Sequence, residues 1–395
     1  MLTDVTIEGL RGVGRVELHF APEQRVYTLF GENGVGKTKC LEALWQFLLI
    51  SNKEFAQASW RQPGQSVVVS ENKTVMARMT ANELTFEAPK TANGSFRLSD
   101  VWKTQNITFH SYPVVFLGAA RRASLANINA VRTHPLGKFS DRRKEFFAVL
   151  CNALQPHGDL NGLGMSDDTR AWFVTRAQST NPYQKSKDNR QAELEAVLTM
   201  LNFIEPRIDP AFLQIDGSGG VFLKVADKDG GVGEERELGE LSSGFAALLK
   251  MIQAIIAGYA AFTNEVQLRN VRGIVLIDEI DAHLHAEWQA NIIPCLKNLL
   301  PNTTFYIATH SPLVLVQLKE KEAYLLKRDD DGVVRSSIIR HPNRRLFIDV
   351  LEDGMGVNLN RLKRENDDPS EARAKQEAKE RLLSLLIREH ESEGV

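Results

Sequence analysis

The 395-residue chain has little cysteine: Cys40, Cys151 and Cys295 are odd in number and far apart. Such a set supports neither a disulfide framework nor a metal-ligand spacing, so a reducing cytoplasm is the expected compartment and each thiol fills an ordinary small apolar position. No basic head runs into an apolar stretch at the start. "MLTDVTIEGLRG" alternates apolar and polar residues as a strand does, and a signal peptide is not expected. No apolar run reaches the roughly 20 residues of a bilayer crossing. The longest, Phe245 to Phe262, is broken by Lys250 and Gln253 and reads as a core helix, so no membrane partner is expected. An excess of charge of one sign is also lacking, because the formal net charge of −2 gives no overall pull toward nucleic acid. Internal repeats and low-complexity tracts are absent as well. With 43% hydrophobic and 25% charged residues, what remains is a globular chain long enough for two lobes.

Four regions separate along it. Residues 1–120 are rich in short alternating segments: Val5/Ile7, Val16/Leu18/Phe20, "RVYTLF", "SVVVS", "TVMARMT", "ELTFE" and "VVFL", with an Asn93-Gly94 turn among them. They read as a β-rich lobe interrupted by one helix over 38–49, where Leu41, Leu44, Trp45 and Leu48 share a face. Residues 121–210 turn helical, including a segment opened by Asp188 with Leu194, Val197, Leu198 and Leu201 in register, and read as an insertion. In 211–340, a Gly- and charge-rich hairpin region at 212–238 is followed by strands at 274–278, 303–308 and 322–327 that alternate with helices, the mark of a parallel α/β sheet. The tail, 341–395, carries Asp368 as a helix cap, Pro369 at the first helical position and Glu371 three residues after the cap. Its apolar residues Leu382, Leu383, Leu385, Leu386 and Ile387 either dock that helix on the body or offer a partner surface. A locally basic run, 121–144, holds seven Lys/Arg against one Asp. It reads first as a solvated face, with a DNA contact as the lesser alternative.

The chemistry concentrates in four short stretches. "VYTLFGENGVGKT" is a strand, a Gly-rich loop and a helix start with P-loop spacing. Its backbone from Gly31 through Asn33, Gly34 and Gly36 to Lys37, Thr38 and Lys39 can close around phosphate, with the Lys37 charge at the β/γ oxygens and the Thr38 hydroxyl on Mg²⁺. "GIVLIDEIDAHLH" is a buried strand ending in Asp278-Glu279. Asp278 is the expected metal ligand and Glu279 the expected base for an attacking water. His283 and His285, two apart on an expected helix, fall on different sides of it and are not a metal pair. "TTFYIATHSP" delivers His310 to the carboxyl edge of the same sheet, where a histidine can donate to a γ-phosphate. In "ELSSGFAALLK", Ser242, Ser243 and Gly244 stand ahead of an apolar run. One serine there is a helix cap; the trio leaves several free N–H groups at a positive helix end, a place for an anion.

Together, Gly31–Thr38, "LSSGF", "LIDEIDAHLH" and "ATHSP" resemble the ABC-type ATPase head of the RecF, SMC/Rad50 and OLD (overcoming lysogenisation defect) families, and most of all compact bacterial OLD-like ATP-binding proteins of anti-phage defence systems. The resemblance spans roughly 1–50 and 236–330. It implies an α/β fold: a P-loop ATPase head with a β-rich N-terminal lobe, a parallel α/β lobe and a helical insertion. It further implies ATP and Mg²⁺ as ligands and a homodimer or higher oligomer formed through ATP. In such a dimer Ser242, Ser243 and Gly244 meet the γ-phosphate held by the other subunit, Asp281 lies at the loop crossing the dimer, and Arg11 in "GLRG" touches nucleotide. The signature departs from the usual pattern at Ser243, where a glycine is common, and at Phe245, where a polar residue is. Gln105 is not assignable as the glutamine of the loop that follows the first lobe.

The expected function is a Mg-dependent ATPase switch that senses a trigger and controls a separate effector, a nuclease or toxin encoded nearby. A RecF/Rad50-like ATP-gated DNA clamp is the alternative, although 121–210 has no sustained heptads for long arms. A scaffold that binds ATP without turnover sits poorly with an intact Glu279. A transporter head fits worst, given the atypical signature. Only about 65 residues follow the last strand near 328; no nuclease domain of its own is expected there, and "RDDDG" at 328–332 reads as a hairpin turn.

Overall fold

The alternation of the first twenty residues becomes an antiparallel hairpin, β1 (Asp4–Leu10) and β2 (Gly14–His19), with Val5 opposite Leu18 and Ile7 opposite Val16, all four buried. In this computed structural model the described residues are 2–344, apart from 61–67, 71–75, 83, 90–94, 121, 123–136, 155–159, 166–167, 181–182, 184–188 and 228–232. The expected tail helix, the Asn93-Gly94 turn, Asp188 and most of the basic run lie outside them.

The next apolar run, β3 (Val26–Phe30), is buried along its whole length, because a central strand of a parallel sheet is covered on both faces. It leads into α1 (Lys37–Ile50), α2 (Lys53–Trp60), β4 (Val68–Ser70), β5 (Arg78–Ala81), β6 (Leu84–Glu87), β7 (Ser95–Arg97), α3 (Leu98–Thr104) and β8 (Val114–Leu117). Three helices follow, α4 (Phe139–Ala153), α5 (Thr169–Ser179) and α6 (Gln191–Ile204). A small antiparallel sheet, β9 (Gln214–Ile215), β10 (Val221–Val225) and β11 (Glu234–Glu237), then precedes α7 (Ser243–Phe262). The chain continues through β12 (Ile274–Ile277), α8 (Ala286–Gln289), α9 (Ile292–Leu299), β13 (Thr304–Ala308), α10 (Pro312–Leu315), β14 (Ala323–Arg328) and β15 (Val334–Ile338).

One ten-stranded sheet runs in the order β6-β5-β1-β2-β15-β14-β3-β13-β12-β8. From β14 through β3, β13 and β12 to β8 every neighbouring pair is parallel. The Asp329–Gly332 turn returns the chain into β15, which is antiparallel to β14 and parallel to β2. The β14–β15 hairpin therefore fuses the N-terminal antiparallel strands and the parallel strands into a single sheet.

The core lies against both sides of that sheet. On one side α1 buries Leu41, Leu44 and Trp45, and the Trp45 ring meets Phe116 of β8 at 5.8 Å. Elsewhere Tyr27 of β3 stacks on Tyr306 of β13 at 5.0 Å, with Phe20 and Tyr324 closing the cluster. The 20-residue α7 is long and apolar enough to cross a membrane by composition, yet 94% of its most apolar window is buried inside the protein. It lies close on β8: a Cβ at Gly258 would stand 2.5 Å from Val115. Each Leu or Ile it buries contributes about 1.5–3 kcal/mol relative to exposure.

Candidate functional site

The loop after β3 is shaped by three left-handed glycines, Gly31 (φ 147°), Gly34 (φ 80°) and Gly36 (φ 111°). Side chains are barred at two of them, since a Cβ would meet the Leu326 carbonyl 2.7 Å from Gly31 and the Val13 side chain 2.8 Å from Gly36. At Gly34 the space is open. Successive N–H groups in such a turn form an anion cradle at the start of α1. Lys37 lies inside it, 5% exposed, donating from Nζ to the carbonyls of Gly31 and Glu32 at 2.8 Å each. Burial pulls its pKa down to about 8, against the upward pull of Asp278, Glu279 and Asp281, so the ammonium is mostly charged at neutral pH.

The neighbouring strand ends carry the acidic pair. Asp278, directly after β12, is 2% exposed and accepts from the Thr38 hydroxyl at 3.0 Å. Glu279 is exposed and has φ 47°, a left-handed conformation unusual for a side-chain-bearing residue. This turn of backbone separates the two carboxylates: one faces the Thr38 hydroxyl of α1, the other faces solvent. From β13, Thr309 donates to the Asp281 carboxylate, and its own N–H reaches Leu29 of β3 at 3.2 Å. His310 follows, partly buried, its pKa lowered by burial and by the Lys37 charge, which keeps the imidazole neutral at pH 7. Three adjacent strands, β3, β13 and β12, thus gather the P-loop, Asp278, Glu279, Asp281 and His310 at one sheet edge. Gln289, the last residue of α8, ties this edge to α10: its Nε2 donates to the Leu284 carbonyl at 2.8 Å, its Oε1 accepts from the α10 N-cap Ser311 at 2.7 Å, and its carbonyl accepts from Gln317 just past α10.

The Ser242–Gly244 trio lies apart in sequence and opens α7. Ser242 is its N-cap, accepting the Phe245 N–H at 3.3 Å, and Ser242 and Ser243 are exposed while Gly244 is buried. A Cβ on Gly244 would sit 3.3 Å from His285 and 3.5 Å from Trp288, so the segment after Asp281 is its neighbour. Arg11 is on the exposed turn between β1 and β2, two residues before the Val13 that abuts Gly36. One reading is corrected. His283 and His285 are not on a helix: His283 has φ 65° in a turn, and α8 begins only at Ala286 with His285 as its N-cap residue. Gln105 ends α3, and its amide is spent on the backbone of Glu87 at 3.0 and 2.6 Å. One buried residue was not foreseen. Arg122, 0% exposed, reaches from the end of β8 to the carbonyls of Asp278 and Glu279.

The family described as "AAA domain, putative AbiEii toxin, Type IV TA system" matches residues 26–316. The match opens on the first residue of β3 and closes just past α10, so it takes in the loop, the signature, the acidic strand end and His310. The chain belongs to this AAA family. It is 22% identical over 375 residues to the Septu protein PtuA of Bacillus thuringiensis, covering 91% of this chain and 85% of that one. It is 42% identical over 89 residues to the retron Ec83 probable ATPase of Escherichia coli, covering 22% of this chain and 16% of that one. Among solved structures, an SMC head bound to the C-winged helix domain of ScpA aligns at 14% identity over 86% of this chain and 98% of that chain, with a TM-score of 0.42.

As an AAA-family ATPase the chain binds nucleotide, and the donor set suits a magnesium nucleotide. Among the described residues no three His, Cys, Asp or Glu side chains form a cage. Mg²⁺ is usually held by one or two carboxylates with phosphate oxygens and water, and the Thr38–Asp278 pair offers that kind of partial set. Burial raises the Asp278 carboxyl to about 6, although the Thr38 hydroxyl bond opposes it. Were Mg²⁺ held there, a proton would compete with it for the same oxygens, and affinity would be lost as pH falls through that value. Between pH 7.5 and 5.5 Mg²⁺ affinity at fixed ADP is expected to drop roughly fourfold, the change in deprotonated fraction for a pKa near 6. Calorimetric titration of the wild type beside Asp278→Asn measures it. An equal drop in both proteins would trace the effect to the nucleotide and remove Asp278 from the metal site.

Proposed function

We propose that the chain is a Mg²⁺-dependent cytoplasmic ATPase that closes on two nucleotides as a homodimer or higher oligomer, senses a trigger, and so controls a separate effector, a nuclease or toxin, in bacterial anti-phage defence. The observation that carries the enzymatic part is the contrast between the adjacent carboxylates: Asp278 is buried on the Thr38 hydroxyl, while Glu279 is exposed beside it at the strand end. A buried acid held on a hydroxyl suits a cation, and an exposed one suits a proton acceptor. Glu279 takes a proton from a water as the water oxygen bonds to the γ-phosphorus and the bond from that phosphorus to the β,γ-bridging oxygen breaks, leaving ADP and phosphate. Lys37 and the N–H groups of Gly34 to Lys39 stabilise the phosphate charge, and the neutral imidazole of His310 donates to a γ-oxygen. Thr38 and Asp278 would hold Mg²⁺, which would supply positive charge against the phosphates.

The defence part is supported by the family and by the relatives, a Septu protein and a retron ATPase. A switch needs contacts made in one nucleotide state only. Elements attached to His310 and to the α7 start are suited to make them. Purification together with the products of neighbouring genes, with and without ATP, tests this reading: a neighbour should co-purify in one nucleotide state, and the ATPase alone should show no nuclease activity. If no neighbour binds in any state and the protein alone binds DNA in an ATP-dependent way, the DNA-clamp reading replaces it.

A further inference from the structure

We propose that Arg122 is a positioning residue for Glu279, its buried guanidinium fixing the backbone turn that presents the Glu279 carboxylate to the attacking water; this rests on the hydrolysis reading above. Arg122 is among the largest fully buried side chains of the protein, with 0% exposure. Its Nε donates to the Gly118 carbonyl at 3.2 Å and its Nη2 to the Leu117 carbonyl at 3.4 Å, which anchors it at the end of β8. The same Nη2 also donates to the Asp278 carbonyl, and Nη1 to the Glu279 carbonyl. Among the described residues every acceptor of this guanidinium is a backbone carbonyl. A buried arginine is ordinarily neutralised by a carboxylate on its own fork. Here the fork is used as a clamp on two successive peptides instead.

Those two peptides are the ones that matter. Glu279 has φ 47°, a conformation that a residue with a side chain leaves unless its surroundings hold it. The bonds that hold this turn are few. The Asp278 N–H goes to the Leu117 carbonyl at 3.0 Å, the Ile280 N–H goes to Ala308 at 3.2 Å, and the Glu279 carbonyl accepts the Ala282 N–H at 2.9 Å as well as Arg122. The charge of Arg122 also lies under the acidic group. Burial draws its pKa down to about 10 while Asp278, Asp281 and Glu279 push it up, so it is a cation at any working pH. A planar fork with several fixed N–H groups can hold two carbonyls in one geometry. An ammonium, a compact point donor, cannot.

Arg122→Lys and Arg122→Gln separate this role from simple support of the fold. Both are expected to lower kcat about 100-fold, the usual cost of a misplaced catalytic group, with KM and the affinity for a fluorescent ATP analogue changed less than about threefold. In a Glu279→Gln background Arg122→Gln should add no further loss, because its effect passes through the missing carboxylate. Hydrogen–deuterium exchange supplies a readout that needs no turnover: the Ala282 amide should lose protection in Arg122→Gln, while the Cys40 amide, bonded to Gly36 at 2.8 Å, should keep it. Wild-type kcat in a cooperatively melting variant, a loss additive with Glu279→Gln, or unchanged Ala282 exchange would each overturn the proposal. So would failure of both variants to melt cooperatively, which would make Arg122 a residue of the fold alone. A wild-type protein without turnover sinks the hydrolysis reading instead, and the exchange result still decides whether Arg122 holds the turn.

Discussion

Replacing Glu279 by Gln is expected to lower ATP turnover by about 10²- to 10⁴-fold, the range that a positioned proton acceptor supplies, while ATP binding persists. Gln keeps the shape of the side chain and a hydrogen-bonding oxygen, but it cannot take the proton of the attacking water. Binding survives because the cradle is built elsewhere, from the left-handed glycines and Lys37 at the β3–α1 junction. Lys37→Ala should behave in the opposite way. It removes the buried cation that spans the Gly31 and Glu32 carbonyls, so both the phosphate charge and the loop lose their partner, and nucleotide binding itself should disappear. Phosphate release and binding of a fluorescent ATP analogue, measured on both variants, distinguish the two roles. A Glu279→Gln protein that hydrolyses ATP at the wild-type rate would remove Glu279 as the base.

How far a sequence discloses such roles depends on how locally each is encoded. The P-loop was legible because Gly31, Gly34 and Gly36 all need positive φ, a demand that shows in sequence as glycine. The strand end at Asp278 was legible because β12 is an unbroken apolar run stopped by charge. Ser242 was legible as a cap, since a hydroxyl that accepts the Phe245 N–H is the ordinary start of a helix. Arg122 was not. In "GAARR" an arginine is by default a surface residue, and its burial follows only from the alignment of β8 with β12, a relation between residues more than 150 apart in sequence. The turn at His283 was missed for a different reason. "DAHLH" has acceptable helical propensity, but Asp281 is held by Thr309 from β13, and the backbone turns left-handed at His283 before α8 can begin. The joining of the two expected lobes into one sheet was hidden as well. β15 buries Val334 but exposes Ser337 and Ile338, so its alternation is weak, and its place between β14 and β2 is set by pairing across the fold.

The second large effect concerns Ser242, at the one end of α7 that reaches solvent. Nearly all of that helix is buried, yet Ser242 and Ser243 are exposed, and the helix end bears N–H groups and the positive end of a 20-residue dipole. The P-loop already has its own helix start at α1, so a second anion site of this kind is explained if the phosphate belongs to another subunit. In a twofold dimer each such site would then draw its P-loop from one chain and its serines from the other. Ser242→Arg would cost the cap about 1 kcal/mol, which leaves the protein folded, but its bulk would fill the space at the helix end. The stalled Glu279→Gln protein should therefore sediment as a dimer at saturating Mg-ATP and as a monomer once Ser242→Arg is added. Mixing makes a sharper test. In a heterodimer of one Lys37→Ala chain and one Ser242→Arg chain, one composite site carries both defects and the other carries neither. Each protein alone should be inactive, and Lys37→Ala with Ser242→Arg in excess should regain phosphate release through the intact site. A stalled protein that stays monomeric with Mg-ATP, together with a mixture no more active than its parts, would mean that each chain binds its nucleotide alone and that Ser242 only caps α7.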